Sequence, residues 1–392
     1  MKRINTHPAD RSLLITIFAL LILGIVFIYN ATVIYSQDVF GGPYRFVLLQ
    51  IAWVSVGLLG FYFFYKFDYK NISKIAYPLF IVTIGMLGLL ALIGLLPCSV
   101  NIIFSPCING ANRWFYLNPP PLPRLPILGI LGFQPSELAK LSLILYLSVQ
   151  IDLAIKKGNN LFTIFLVSTG LISFLIAMQP NMSTAVLVFM IGLVMYFASE
   201  APLTPLLVLG PVGGVVGVLF MLVSSYRRER LLTFLGGRSE QLDASTGYHI
   251  KQILIALGSG GIFGVGFGQS RQKFQYLPEV AADSIFAVIG EELGFIGTTF
   301  LVLLFGYLIY KGYKIAQDAP DMLGRLLATG ITTWIGLQFF INVAAMTRFI
   351  PLTGVPLPLI SYGGSSMVFS LMGLGILANI SSHESSNNRR TS

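Results

Sequence analysis

The sequence predicts an all-α polytopic membrane protein with about ten transmembrane helices and a large extracytoplasmic loop between the seventh and eighth. Hydrophobic residues make up 55% of the 392 residues and charged residues only 10%, whereas an average soluble domain has about 25% charged residues. The mean hydropathy is +0.78. Apolar runs also recur along the chain at the length needed to cross a hydrocarbon core of about 30 Å.

The predicted spans follow one another along the chain, and several are short or interrupted by glycine and proline. They lie near 12–35, 46–65, 75–96, 126–151, 161–179, 183–198, 204–225, 284–310, 323–346 and 364–380. Only Gln179-Pro180-Asn181 separates the fifth span from the sixth, so the count is accurate to within one or two helices. The first run is too long for a signal peptide and lacks a small-residue cleavage site, so we expect it to remain as a helix.

Lysine and arginine residues place both termini in the cytoplasm. With that orientation, thirteen of them fall in inner segments and four in short outer loops, as the positive-inside rule requires. The long outer loop 226–283 is largely exempt from the rule. The chain then divides into a cytoplasmic tail (1–11), a membrane domain (12–380) and a second cytoplasmic tail (381–392). The net charge of +9 mostly reports this orientation and gives no reason to invoke nucleic acid.

The cysteine and histidine content limits the metal and redox chemistry. Cys98 and Cys107 are the only cysteines, and both lie in the outer loop after the third span. An oxidising exterior allows them to form a disulfide, and two free thiols are the alternative. Two cysteines and three scattered histidines give no zinc pattern, so the sequence predicts no metal ligands.

Three carboxylates near the eighth span are the main functional candidates. Asp283 stands where the long loop enters the span, whereas Glu291 and Glu292 lie within it. Asp283 has two interpretations: a helix N-cap, or a general base that meets the headgroup of a lipid-borne substrate at the membrane surface. Glu291 lies about 12 Å further along, within about 80° of the Asp283 face, and Glu292 points roughly opposite. Intramembrane acids need a partner, and Lys140 is the best candidate for Glu291.

Other polar residues lie on the same outer side. Glu137 precedes Lys140 by three residues, so the two can share one helix face, as a structural ion pair or a functional one. Arg113 precedes Trp114 in an outer loop and is either an interfacial anchor or part of a site. Arg271 and Lys273 follow the glycine-rich run GSGGIFGVGFGQS (258–270). This run predicts a flexible or re-entrant turn, or a close approach of the backbone to a bulky ligand that the two cations would attract.

A second broken segment, PLTGVPLPLISYGGSS, occupies 351–366 and includes Ser365. Irregular backbone is tolerated at membrane depth only where protein or water satisfies its hydrogen bonds. The sequence therefore predicts a re-entrant segment whose backbone hydrogen bonds are satisfied by protein or by water.

Five motifs together resemble the SEDS family (shape, elongation, division and sporulation), whose RodA and FtsW members are cell-wall polymerases. They are GANRWFYL (110–117), FQPSELAK (133–140), QPNMSTA (179–185), QKFQYLPE with Asp283 and IGEELG (272–294), and PLPLISYGGSS (356–366). They occur in the family's order, and GVPLPLISYGG leans towards the RodA branch.

The resemblance implies a peptidoglycan glycosyltransferase that polymerises lipid II at the outer face of the bacterial plasma membrane. A class B penicillin-binding protein would crosslink the strands. Asp283 matches the family's essential loop aspartate, and the α-linked donor and β-linked product fit one inverting displacement with a single general base. The residues expected to contact substrate or its diphosphate are Arg113, Glu137, Lys140, Arg271 and Lys273, with Glu291, Glu292 and Ser365 in support. A divalent cation could assist the leaving group, but no sequence feature demonstrates one.

Two positions depart from the family pattern. Asn181 stands where the family usually has aspartate, and Ser284 replaces the aromatic residue that commonly follows the loop aspartate. Two other functions stay open. The first is a lipid II flippase or transporter, to which the intramembrane acids and broken helices would also belong. The second is a non-catalytic scaffold for a penicillin-binding protein.

Overall fold

The computed structural model describes residues 9–100, 102–108, 110–118, 131–202, 204–205, 207, 210, 213, 244–274 and 277–383. The helices with defined bounds are α1 (Arg11–Phe40), α2 (Arg45–Lys66), α3 (Ile72–Ile93), α4 (Pro135–Lys157), α5 (Leu161–Met178), α6 (Met182–Ala198), α7 (Ala244–Gly260), α8 (Ile285–Asp318), α9 (Met322–Met346) and α10 (Gly364–Ser381). A 3-10 turn, Tyr69–Asn71, precedes α3. The strands Phe115–Tyr116 (β1) and Gly132–Phe133 (β2) pair antiparallel.

The all-α membrane class is confirmed. Eight helical segments of the described chain are long and apolar enough to cross a membrane, and α6 is a shorter apolar helix. The fourth span starts later than predicted, at Pro135 instead of 126, because proline suits the first turn of a helix and β2 comes just before it. The eighth extends to Asp318 instead of 310. The predicted span 204–225 and the loop portion 226–243 lie mostly outside the described residues.

The centre of the bundle is formed by α4, α9 and α10, which are mostly buried. The packing of α10 on α2 is close because small residues line the contact. At Gly375, for example, a Cβ atom would lie 2.5 Å from the backbone oxygen of Phe61. The loop after α3 is closed by a disulfide between Cys98 and Cys107, so the disulfide alternative is the correct one.

Both chain ends of the helical domain lie at one end of the bundle. The backbone N–H of Asp10, just before α1, donates to Oγ of Ser381 at the end of α10 at 3.2 Å. The Asp10 carboxylate also pairs with Lys311 of α8 at 3.0 Å. The 3-10 turn after α2 meets α10 at the same level, where the N–H of Tyr69 donates to Oδ1 of Asn379. We call this the Asp10 end of the bundle.

The loop predicted over 226–283 contains a helix, α7, where no helix was expected. After α7 the glycine-rich run turns back and pairs with a break in α8 at Gly294, where φ is 64°. The N–H groups of Val265 and Gly266 donate to the carbonyls of Glu291 and Glu292. In return, Phe295 and Ile296 donate to the carbonyls of Gly261 and Ile262. The run therefore folds back onto α8 as a turn, and it satisfies the backbone groups that the broken helix leaves unpaired.

Glycine is required where the two backbones approach each other. A Cβ at Gly294 would lie 2.3 Å from the nitrogen of Gly264, and a Cβ at Gly264 would lie 2.1 Å from the oxygen of Glu292. Both residues also have positive φ, which glycine adopts without strain.

The segment between α9 and α10 is a second irregular stretch, and buried amides satisfy its carbonyls. Gln338 donates to the oxygen of Pro356 at 3.0 Å and Asn342 to that of Val355 at 2.8 Å. The backbone at Leu359 packs against α1 at Gly24, where a Cβ would lie 2.5 Å from the Leu359 oxygen. Protein groups thus satisfy backbone carbonyls of this segment, as predicted, and its re-entrant placement in the membrane stays a prediction.

Candidate active site

Asp283 lies two residues before the start of α8 at Ile285 and is 6% exposed. Its side chain accepts a hydrogen bond from the hydroxyl of Ser284, Oγ to Oδ1, at 3.2 Å. Its backbone oxygen accepts from Asn342 Nδ2 at 2.8 Å. A Cβ at Gly354, in the segment after α9, would lie 3.8 Å from Asp283 Oδ2. The carboxylate is thus placed between the start of α8 and the broken 351–363 segment.

The N-cap interpretation of Asp283 is wrong. The helix begins at Ile285, the capping position belongs to Ser284, and no side chain forms a capping hydrogen bond there. The Asp283 carboxylate instead belongs to a buried polar cluster.

A second polar cluster surrounds Lys140 on α4, which is 2% exposed. Its Nζ lies 2.8 Å from Glu137 Oε2, 2.9 Å from Gln338 Oε1 and 5.1 Å from the centre of the Trp334 ring. Glu137 and Lys140 therefore share one helix face, as their spacing predicts. A buried ammonium group needs this many favourable contacts, because the loss of its water shell is costly.

The helix α9 connects the two clusters. Gln338 contacts Lys140 and Pro356, and Asn342, one turn further along, contacts Asp283 and Val355. Residues four apart lie on the same helix face. Lys140 and Asp283 are thus joined through side-chain amides and the backbone of the broken segment.

The predicted pairing of Glu291 with Lys140 is wrong. Glu291 accepts from the hydroxyl of Ser270 at 2.5 Å and from the backbone N–H groups of Arg271 and Gln272 at 3.0 and 3.4 Å. The turn after the glycine-rich run comes close enough to supply these donors, whereas Lys140 is held on α4. Glu291 therefore anchors the turn that carries Arg271 and Lys273.

Glu292 has a different set of partners, and it is fully buried. It forms an ion pair with Lys273 at 3.3 Å and accepts hydrogen bonds from the backbone N–H of Ser270 and the side-chain amide of Asn30. Lys273 Nζ also donates to Asn30 Oδ1 at 2.9 Å and to the Gly268 oxygen at 2.5 Å. Asn30 follows Asp10 by 20 residues, which is roughly 30 Å along a helix. The cluster is therefore about one hydrocarbon thickness away from the Asp10 end.

A cavity of about 470 Å³ lies beside this cluster and beside the residues that lead to Asp283. Its walls come from α1, from the start of α2, from the residues just before Asp283 and from Tyr362. Lys273 and Glu279 are its charged lining residues, and Thr32, Tyr35 and Tyr362 supply hydroxyl groups.

The other predicted residues are placed as follows. Arg113 donates from Nε to the oxygen of Gln179 at 3.1 Å and from Nη2 to that of Pro180 at 2.7 Å. It thus holds the turn between α5 and α6.

The Ser365 hydroxyl accepts from the N–H of Gln134 at 3.1 Å, just before α4. The side chain of Arg271 is exposed. Neither Arg113 nor Ser365 has a described contact with Asp283.

Sequence reasoning missed four residues of these clusters: His249, Gln338, Asn342 and Asn30. His249 lies on the unpredicted α7, and its Nε2 is 2.8 Å from Ser284 Oγ. The other three are amides inside apolar spans. Their polarity within those spans was the available signal, and the spacing of Gln338 and Asn342 by four residues marks one polar helix face.

Comparison with known proteins agrees with this architecture. A family model described as cell cycle protein, which groups FtsW, RodA and SpoVE, matches residues 11–386. Stage V sporulation protein E of Bacillus subtilis is 34% identical over 384 residues, 96% of this chain and 98% of that protein. A probable peptidoglycan glycosyltransferase FtsW of Geobacter sp. (strain M18) is 33% identical over 385 residues, 97% of this chain and 98% of that protein.

Solved structures give the same result. A chain of a peptidoglycan synthase complex superposes with a TM-score of 0.73 at 26% identity, covering 95% of this chain and 97% of the other. The rod shape determining protein RodA of Thermus thermophilus superposes with a TM-score of 0.63 at 25% identity, covering 95% and 96%.

The fold and the family model define a multi-pass bacterial membrane protein. The chain belongs to the SEDS family of FtsW, RodA and SpoVE proteins. The similar proteins include members of all three branches, so the lean towards RodA stays a prediction.

Proposed function

We propose that the protein is a peptidoglycan glycosyltransferase that polymerises lipid II, with Asp283 as its general base. The observation that carries the proposal is the buried Asp283 just before α8. Its carboxylate is held by Ser284, and its backbone oxygen is held by Asn342 of α9, the helix whose Gln338 contacts Lys140. The names of the FtsW relatives support the same activity.

The reaction needs one base and a stabilised leaving group. The C4 hydroxyl oxygen of one disaccharide bonds to C1 of another while the bond from C1 to the lipid diphosphate breaks, and the hydroxyl proton passes to Asp283. General base catalysis of this kind contributes about 10²–10⁴-fold. One carboxylate suffices because the displacement inverts C1 without a covalent intermediate.

The positive charges divide between two tasks. Lys273 borders the cavity, and Arg271 lies two residues earlier with an exposed side chain. These two are the proposed contacts for the diphosphate, whose charge increases as it leaves. Lys140 and Glu137 act inside the protein, where Glu137 holds Lys140 and Lys140 in turn donates to Gln338, so that α4 is positioned against α9. Arg113 acts by holding the Gln179–Pro180 turn.

The orientation of the domain follows from its two ends. We place the tails 1–11 and 381–392 in the cytoplasm, because Lys66, Lys311 and Arg325 all lie at or near the Asp10 end and cytoplasmic ends are enriched in such residues. Asp283 and the cavity then face the outside. A polyprenyl tail would stay in the bilayer while its sugars reach the cavity, since burial of each CH₂ is worth about 0.8 kcal/mol.

The proposed partner is a class B penicillin-binding protein that crosslinks the new strands. It is supported by the likeness to a chain from a synthase complex that joins polymerization and crosslinking.

Incubation of the purified protein with lipid II, followed by gel separation of the products, tests the activity. The proposal predicts a ladder of glycan strands that lysozyme digests. A flippase would move lipid II between leaflets without making strands, and a scaffold would do neither. Absence of strands from a folded, monodisperse preparation, alone and with its transpeptidase partner, would contradict the proposal.

A further inference from the structure

A histidine on α7 reaches the candidate base through Ser284. His249 Nε2 lies 2.8 Å from Ser284 Oγ, and Ser284 Oγ lies 3.2 Å from Asp283 Oδ1. His249 is 9% exposed and Ser284 is fully buried. The three side chains thus form one hydrogen-bonded chain that crosses from α7 to the start of α8.

The chemistry of the groups fixes the direction of these hydrogen bonds. An ionised carboxylate only accepts, so the Ser284 hydroxyl donates to Asp283. The remaining lone pairs of that hydroxyl then accept from His249, which requires a proton on Nε2. With this tautomer, the imidazole holds the single hydroxyl hydrogen in the direction of Asp283.

We propose that His249 and Ser284 are positioning residues for Asp283. The chain holds Oδ1 and so sets the rotation of the carboxylate, with Oδ2 directed towards Gly354 and the broken segment. This inference rests on the proposed role of Asp283 as a general base. A base must lie within hydrogen-bond reach of the proton it removes, and a misplacement of about 1 Å can cost 100-fold in rate.

A purely structural role is the competing explanation, since a buried imidazole needs a hydrogen-bond partner in any case. The two explanations predict different kinetics. Loss of positioning lowers kcat and leaves KM for lipid II nearly unchanged, because the carboxylate acts on the transition state more than on binding. A structural defect lowers the melting temperature and the fraction of active protein.

The experiment measures initial polymerisation rates and melting temperatures for purified full-length variants. Ser284→Ala and His249→Leu each interrupt the same hydrogen-bonded chain of side chains. The double variant interrupts that one chain as well, so its loss should not be the product of the two single losses. His249→Gln keeps an N–H donor but removes the imidazole. We expect each breaking variant to lose about 10-fold or more in kcat at a KM within about 2-fold, within the range that positioning controls. We expect the double variant to be no worse than the poorer single variant, and His249→Gln to restore most of the rate.

Multiplied losses in the double variant would overturn the inference, as would full activity of Ser284→Ala. If His249→Leu does not fold, the ratio of the Ser284→Ala and His249→Gln rates decides the question alone: equal rates would overturn the inference. Asp283→Asn, measured in parallel, distinguishes a failure of the proposed function from a failure of the positioning role. A fully active Asp283→Asn variant refutes the proposed function itself. An inactive Asp283→Asn beside a fully active Ser284→Ala refutes only the positioning chain.

Discussion

Asn342 donates both hydrogens of its side-chain amide to backbone oxygens, one to Asp283 and one to Val355, each at 2.8 Å. A single side chain of α9 thereby fixes the residue that carries the proposed base and the broken segment that faces it. Since the start of α8 and the 351–363 segment are both irregular, this amide is a main source of their relative position.

Asn342→Leu is expected to lower both stability and rate. Two buried carbonyls would lose their donor, and each unsatisfied polar group costs about 1–3 kcal/mol. The measurement is the melting temperature together with kcat for lipid II polymerisation. Thr347→Val is a control near the same helix end, because its hydroxyl only bonds within the helix and the residue is exposed. If both variants behave as wild type, Asn342 does not hold the site.

The pair of Lys140 and Glu137 allows stability to be separated from chemistry. Lys140→Met leaves Glu137 as an unpaired buried charge, which costs about 3–5 kcal/mol, whereas replacement of both partners by apolar residues is often neutral. We expect Lys140→Met to lower the melting temperature and the Glu137→Leu, Lys140→Met double variant to recover it.

The activity of that double variant then shows whether the charges have a catalytic task. With Lys140 as a positioning residue, the stable double variant retains measurable strand synthesis. Complete inactivity at wild-type melting temperature would instead place Lys140 on the substrate. The exposed pair of Asp152 and Lys156 is the control, since exposed pairs contribute only about 0–1 kcal/mol.

Glu291 is expected to control the order of the turn that carries Arg271 and Lys273. Glu291→Ala removes the acceptor for three donors of that turn, so local opening should require less free energy. Hydrogen exchange at 268–274 is the readout, and we expect faster exchange there than in wild type. Glu200→Ala, which breaks an exposed ion pair with Arg325, should leave that exchange unchanged. Equal protection in both variants would show that Glu291 does not anchor the turn.

The break in α8 depends on glycine at Gly264. Gly264→Ala places a Cβ about 2.1 Å from the Glu292 oxygen at a φ of +80°, so the two backbones must separate. We expect a loss of more than about 1 kcal/mol and reduced yield of folded protein. Gly306→Ala, within α8 itself, is the matched control. A Cβ at Gly306 meets open space, and alanine is more favourable than glycine inside a helix by about 0.5–1 kcal/mol. A folded Gly264→Ala protein with wild-type melting temperature would contradict the observed packing.

The sequence predicted the spans well because each is a long apolar run, a signal that depends only on local composition. The bounds of α5, α6, α9 and α10 agree with prediction to within one or two residues. The start of α4 was less accurate, since the apolar residues before Pro135 resemble a span. The helix α7 was missed because its glycine-rich end is typical of a loop.

Side-chain partners were harder to predict than helices. The spacing of Glu137 and Lys140 is local and gave a correct ion pair. The partners of Glu291 lie about 20 residues earlier in the chain, in a turn whose path the sequence does not specify. The amides Gln338 and Asn342 connect the two clusters through a tertiary contact with the broken segment, which no periodic pattern encodes.

The most direct test of Asp283 as the general base is strand synthesis from lipid II by wild type and by Asp283→Asn, compared at equal melting temperature. The amide preserves size and can still accept from Ser284, but it cannot take a proton from the sugar hydroxyl. Asp152→Asn controls for the loss of one carboxylate at a remote exposed pair. We expect glycan strands from wild type and Asp152→Asn, and none above background from Asp283→Asn. Strand synthesis by a folded Asp283→Asn protein at the wild-type rate would contradict the role of Asp283 as the general base.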